Sequence, residues 1–233
     1  MSSKISIVIP AHNEEENLVP LVDSIINLRR KQRLNYEVMI VDDNSTDKTG
    51  KIADSFSRKY KGIKVIHRKG NRGMGNALKE GTKKAKGDIV VWVMADRADD
   101  LNTIPKMIEK IEQGYDVVFG SRYTKGGSRG DLDPFKTLAS SGYTKVASII
   151  FGFKLHDITN AFRAFRKDVF NKLNIESGDF AISPEFAIKA HLKKYKLGEV
   201  PTTHSKRKAG KATFKMLKMG WRYGSLFKYR FSL

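Results

Sequence analysis

The chain has 233 residues, a net charge of +19 and no cysteine. That length holds one large domain or two small ones, and the absence of cysteine excludes a disulfide framework and a thiolate zinc site. Hydrophobic residues make up 40%, enough for a core, yet no run approaches the ~18 uninterrupted apolar residues of a membrane span.

Met1 to Lys4 lead straight into an apolar strand rather than a signal-peptide core, so the sequence reads as cytoplasmic. Ile5–Ile9 is that strand. Asn13 is expected to cap a helix whose first turn carries Glu14, Glu15 and Glu16, acids that suit the helix dipole. Leu18, Leu21, Val22, Ile25 and Leu28 then recur at helical spacing. Tyr36–Val41 is a second strand, and Ser45 or Thr46 is expected to cap a helix bearing Ile52 and Phe56. Ile63–Ile66, Ile89–Val93 and Asp116–Phe119 read as further strands, separated by helices over Met74–Ala85 and Ile104–Ile111. Strands alternating with helices of this length predict an α/β fold, with a doubly wound, mostly parallel sheet and helices on both faces.

At Gly120 the character changes. Gly126, Gly127 and Gly130 mark a loop holding Arg122, Lys125 and Arg129. Lys136–Phe151 and Ser183–Lys194 predict helices, and Phe162–Phe165 and Leu197–Thr203 predict strands. No linker, repeat or low-complexity tract intervenes. The expected organisation is one domain over residues 1–211, with a donor-binding half to about residue 120 and an acceptor half from 121 to 211, followed by a basic, aromatic tail over 212–233. From Pro201 to Leu233 there are nine basic residues and no acid. Phe214, Leu217, Trp221, Leu226, Phe227 and Tyr229 lie among those bases, a composition that suits either an interfacial helix on an anionic membrane or a helix docked on the core.

The chemistry sits at strand ends. Asp42 and Asp43 close the second strand and Asp96 follows the fourth. In a parallel sheet the carboxyl ends of strands face the ligand crevice. A carboxylate there can accept hydrogen bonds from a nucleobase or ribose, or hold a divalent metal against a pyrophosphate. A lone aspartate is more often a turn residue or cap, but two acidic strand ends on one edge favour a site. The Gly70–Gly75 cluster opens a helix in the manner of a phosphate cradle, without being G-x-G-x-x-G or a Walker loop. None of the five histidines shows metal-ligand spacing; His12 reads as a polar loop residue, Trp92 as core and Trp221 as packing of the C-terminal helix.

In order, I-V-I-P-x-x-N-E, V-D-D-x-S-x-D-x-T, N-x-G-x-G-x-A, K-G-D-I-V-x-x-x-A-D and G-S-R-Y resemble glycosyltransferase family 2, within it the dolichol-phosphate mannose synthase and polyprenyl-phosphate glycosyltransferase branch. The resemblance spans Ile5 to about Thr213. It implies a GT-A fold and inverting transfer of a hexose, mannose or glucose, from a GDP- or UDP-linked sugar to a polyprenyl phosphate or glycan acceptor. It implies donor binding by Pro10, Glu14, Asp42, Asp43, Asp96 and Arg207, with Mg²⁺ or Mn²⁺ on Asp96. Arg122, Lys136 and Ser140 match the grip on the acceptor phosphate, and catalysis is expected from Asp96, Arg122 and Arg207. Asp157 and Glu185 match further acids of the branch. For a hydroxyl acceptor, Asp99, Asp157 and Glu185 are the candidate bases.

The sequence departs from the pattern at Met94, where the branch carries the first acid of its D-x-D metal motif, and at Asn160-Ala161, where it carries Ser-Gly. A thioether is a poor ligand for Mg²⁺ or Mn²⁺. Met94 therefore motivates a second reading, a catalytically weakened sugar-nucleotide-binding module. The charge of +19 motivates a third, nonspecific nucleic-acid binding. No nucleic-acid recognition motif supports specific binding of that kind.

Overall fold

The first four strands are short apolar runs whose side chains alternate between two helical layers. β1 (Ile5–Ala11), β2 (Tyr36–Asp42), β3 (Ile63–His67) and β4 (Ile89–Trp92) pair in parallel in the order β3-β2-β1-β4. Ile5, Ile7 and Ile9 face one core and Val8 the other; Ile89 and Val91 are likewise opposed to Val90 and Trp92. The fold is described by a computed structural model covering residues 4–32, 35–210 and 216–231.

α1 (Glu15–Gln32), α2 (Thr49–Lys59) and α4 (Ile104–Glu112) cover one face, with Leu18, Val22, Ile25, Phe56 and Met107 buried against the sheet. α3 (Met74–Lys84), α5 (Pro134–Phe151), α6 (Lys167–Leu173) and α7 (Ile182–Leu192) cover the other. Trp92 centres that second core, edge-on to Phe165, Phe170 and Phe186, with its indole N–H donating to Thr82 Oγ1 at 2.9 Å. Trp92 is thus a core residue, as its sequence context predicted.

The sheet has seven strands. β5 (Val117–Ser121), β6 (Arg163–Arg166) and β7 (Leu197–Pro201) complete the order β3-β2-β1-β4-β6-β5-β7. β6 runs antiparallel to both β4 and β5, whereas β5 and β7 are parallel. The expected mostly parallel α/β architecture is observed. The antiparallel insertion of β6, the helix α6 and a 3-10 turn at Leu101–Thr103 went unforeseen.

Three local expectations are corrected. Asn13 is not a cap: it adopts φ 54° and its Oδ1 accepts from the Thr46 N–H at 2.8 Å, while the Glu14 carbonyl receives Leu18 N–H at the helix start. At α2 the first-turn acceptor is Asp47, whose Oδ1 takes Thr49 N–H at 2.9 Å; Ser45 Oγ instead accepts from Asn13 N–H. Trp221 does not pack; it is 82% exposed on α8 (Met216–Ser225). α8 and the 3-10 turn after it (Leu226–Phe231) dock through Met219, Leu226 and Tyr229 instead, and Tyr223 lies 4.9 Å from Tyr143 of α5. Phe214 lies outside the described residues.

Candidate functional site

The carboxyl ends of β1, β2 and β4 open into a cleft of about 420 Å³. Pro10, Glu14, Asp43, Gly73, Met94, Asp96, Asp179 and Phe180 line it, together with Arg72 and with Arg207 from a late loop. Strand periodicity decides which of the paired aspartates takes part. Asp43 faces the cleft, its Oδ2 accepting Gly73 N–H at 2.6 Å and its Oδ1 paired with Arg68. Asp42 points to the other side. Its Oδ2 meets His67 Nδ1 at 3.0 Å and its Oδ1 accepts Ser45 N–H. His67 Nε2 meets Asp54 at 2.9 Å, so hydrogen bonds donated to Asp42 and then Asp54 hold the imidazolium pKa above its ordinary value. The structure therefore separates Asp42 from the cleft that Asp43, Glu14 and Asp96 share.

The loop that carries Arg207 folds back over this edge. Arg207 donates to Glu14 Oε2 at 2.6 Å and to its own loop at Ala209 O, and lies 3.8 Å from Asp96 Oδ2. Burial pushes the Glu14 carboxyl up, partly offset by Arg207 and by Asn17, which donates at 2.8 Å. Asp96 Oδ1 accepts Ala98 N–H at 3.2 Å across Arg97, which sits in the left-handed region at φ 62°. Two acids and one guanidinium thus stand where an anion could exchange with their mutual contacts.

His12 takes part in ordering the mouth. Its Nδ1 contacts the Asp43 carbonyl at 3.0 Å, and a carbonyl only accepts, so the proton is on Nδ1. Its Nε2 then accepts from Arg72 at 3.1 Å. The glycine cluster is shaped by packing: a Cβ at Gly75 would meet the backbone of Gly178 and Asp179 at 2.7 Å.

The expected acceptor grip is arranged differently from a cluster of free cations. Arg122 is buried in a bidentate pair with Asp157, at 2.7 and 2.9 Å, and also reaches Thr159. Burial opposes the charge on Asp157, but Arg122 and backbone donors together hold its carboxyl below the usual range. Ser140 Oγ shares a 2.6 Å hydrogen bond with Tyr123, and Lys136 is exposed one turn earlier on α5. None of these three lines the cleft.

Among the candidate bases, Glu185 is buried and spent on Glu176 N–H, Ser177 N–H and Lys189, so it holds a turn. Asp99 accepts Met94 N–H at 3.0 Å; burial, then the nearby Asp96, push its carboxyl up to about 7. The cleft carboxylate that sequence reasoning missed is Asp179. It lies in a turn before α7 with no motif around it, and only its tertiary placement brings it to the site.

A divalent cation has a limited foothold here. Among the described residues no group of three histidines or acids forms a cage, and Met94 lines the cleft along with Asp96. Asp96 keeps 28% of its side chain open. That donor set fits a hard cation shared with diphosphate oxygens and water, the usual habit of Mg²⁺, rather than one enclosed by protein.

Residues 6–173 match the family model described as glycosyl transferase family 2. The chain is 39% identical over 215 residues to a dolichol-phosphate mannosyltransferase of Pyrococcus furiosus, covering 91% of this chain and 59% of that protein. It is therefore similar to about three fifths of that relative's length. It is 26% identical over 211 residues to a polyprenol monophosphomannose synthase of Mycolicibacterium smegmatis, covering 88% and 78% respectively. Among solved structures, glucosyl-3-phosphoglycerate synthase of Mycobacterium tuberculosis, crystallised with Mn²⁺, UDP and phosphoglyceric acid, superposes with a TM-score of 0.70 at 20% identity, covering 98% of this chain and 78% of that one. S. aureus TarS with UDP-GlcNAc gives 0.68 at 19% identity, covering 97% and 66%. These structural likenesses speak for the fold, which is the expected GT-A type.

Proposed function

The chain belongs to glycosyl transferase family 2, and from that premise we propose that it transfers a hexose from a nucleotide sugar to a polyprenyl phosphate, inverting the anomeric carbon. Asp43, with Pro10 and Glu14, receives the nucleoside end. Arg207 leaves Glu14 for the diphosphate as it departs, since charge developing on the leaving group is where electrostatic stabilisation acts most strongly. A divalent cation on Asp96 would neutralise the same oxygens. The GDP- and UDP-linked hexoses are the donors to test. Asp42 supports the end of β2 through His67 rather than meeting the ligand.

The observation that carries the lipid acceptor is the outer face of α5. Phe135, Leu138, Val146 and Ile149 are 66, 68, 47 and 76% exposed, and at 100° per residue they fall on one stripe. Such a face is costly in water and marks an interaction surface. Exposed Lys136 and Lys145 flank it, a pattern that suits the anionic cytoplasmic leaflet in which a polyprenyl phosphate resides. No helix of the described residues is long and apolar enough to cross a membrane. A phosphate oxygen is already anionic and needs positioning rather than a base. Lys136 and Ser140 stand on the same helix to provide it, with Arg122 and Asp157 fixing the loop behind.

Purified protein is incubated with GDP-mannose, UDP-glucose or related donors and vesicles carrying polyprenyl phosphate, with and without Mn²⁺. Glycosyl lipid is the expected product, reduced by Ile149→Asp. Absence of transfer or donor hydrolysis with every donor refutes the reading. Met94 favours one alternative, the weakened module: a many-fold gain in turnover for Met94→Asp would select it.

A further inference from the structure

Four carboxylates line the donor cleft, and three of them are committed to the nucleotide end: Asp43 with Arg68 and Gly73, and Glu14 and Asp96 around Arg207. The fourth, Asp179, lines the cleft beside Phe180, in the turn that packs on the Gly73–Gly75 loop. A further negative charge in a cleft that binds a diphosphate weakens that binding unless it is neutralised or meets a neutral, hydroxyl-rich part of the ligand. Asp179 satisfies the first condition. Its Oδ2 accepts from Arg222 Nε at 2.9 Å, and Arg222 comes from α8. Its Oδ1 accepts Ala181 N–H at 3.0 Å. Each oxygen keeps a lone pair, and the side chain is 30% exposed.

Its position is also fixed from behind. Asn76 N–H donates to Gly178 O at 3.0 Å, and the turn sits in backbone contact with Gly75. A carboxylate held by one guanidinium N–H and a clamped turn is preorganised to accept hydrogen bonds.

We infer that Asp179, oriented by Arg222 of the C-terminal helix, accepts hydrogen bonds from hydroxyls of the donor hexose and so sets which sugar the cleft prefers. Arg222 acts through Asp179 and is a positioning residue. The inference rests on the nucleotide-sugar reading above. It adds that the C-terminal segment completes the sugar end of the site.

The test is calorimetric titration of the full chain with GDP and UDP, and with GDP-mannose and UDP-glucose. Asp179→Asn is expected to bind the nucleoside diphosphates within about twofold of the unaltered chain. It should bind the preferred nucleotide sugar about 10- to 100-fold more weakly, the worth of one or two charge-assisted hydrogen bonds. Arg222→Gln should show the same selective loss and Arg222→Lys should recover part of it, with thermal unfolding confirming that α8 stays docked. Equal losses for diphosphate and sugar, or no loss for either, would overturn the assignment while leaving the nucleotide-sugar reading intact. An unaltered chain that binds the diphosphates and sugars not at all takes both down.

Discussion

The contact between the glycine loop and the turn at Asp179 is testable by a single methyl group. Gly75 lies in the first turn of α3, and an added Cβ there would lie 2.7 Å from Asp179 O, 2.7 Å from Gly178 C and 2.8 Å from Ser177 O. All three are backbone atoms, so no side chain can rotate away. Overpacking of this kind costs about 1–3 kcal/mol. Replacing glycine in a helix returns up to about 1 kcal/mol, and less in the first turn. The net expectation for Gly75→Ala is a loss of roughly 1–2 kcal/mol, or a fall in Tm of about 2–8 °C for a chain of this size. Gly142 of α5 is the control, because nothing lies within 4 Å of its Cβ position. There the same substitution should stabilise by about 0.5–1 kcal/mol and raise Tm by about 1–4 °C. Thermal unfolding followed by circular dichroism reads both. A Gly75→Ala protein as stable as the unaltered chain would refute the packing argument, since the turn would then have moved without cost.

Three further outcomes are expected. Arg122→Ala leaves Asp157 buried without its guanidinium; urea unfolding should show a loss of about 3–5 kcal/mol, larger than any surface lysine gives. His67 has its pKa raised by Asp42 and Asp54, so its stabilisation is complete below the unfolded value of about 6.5 and is lost as pH rises through the folded one. Urea midpoints should therefore fall with pH above that point, and His67→Gln should flatten the decline. Asp99 titrates near 7 in the folded chain, so the folded state keeps a proton that the unfolded chain has released, and stability falls as pH climbs from about 4 to about 7. Asp99→Asn can still accept Met94 N–H, and it should exceed the unaltered chain in stability at pH 8 while matching it at pH 4.

Much of this arrangement is legible in the residues. The first four strands are apolar runs between caps and glycines, and their carboxyl ends predict where a ligand crevice opens. Glu14, Asp43, Asp96 and Arg207 indeed share one cleft. The period of a strand also carries information left unused: adjacent Asp42 and Asp43 must point to opposite sides, so only one of them can face a given cleft. Other features are written in distant pairs. Arg122 reads as a free loop cation until Asp157, 35 residues on, encloses it. Asn13 gives up its expected capping role, and Asp47 takes the one expected of Ser45 or Thr46, where two loops cross-brace each other, a tertiary contact that overrides local preference. Trp221 illustrates the same limit at the surface, where hydrophobicity alone does not say which side of α8 meets the core. Asp179 carries no signature at all, and its place depends on α3, α7 and α8 together.

The reversed strand β6 has a consequence for how the polypeptide comes off the ribosome. β4 is wholly apolar, and its free edge is closed only by residues 163–166, more than seventy positions later. Until they emerge, the nascent chain presents an unpaired hydrophobic ribbon of the sort that seeds intermolecular pairing. Truncations ending before Arg163 should therefore precipitate, whereas those ending after β7 should not. The interval between the emergence of Trp92 and that of Arg163 is thus the stage at which the nascent chain is most exposed to intermolecular pairing.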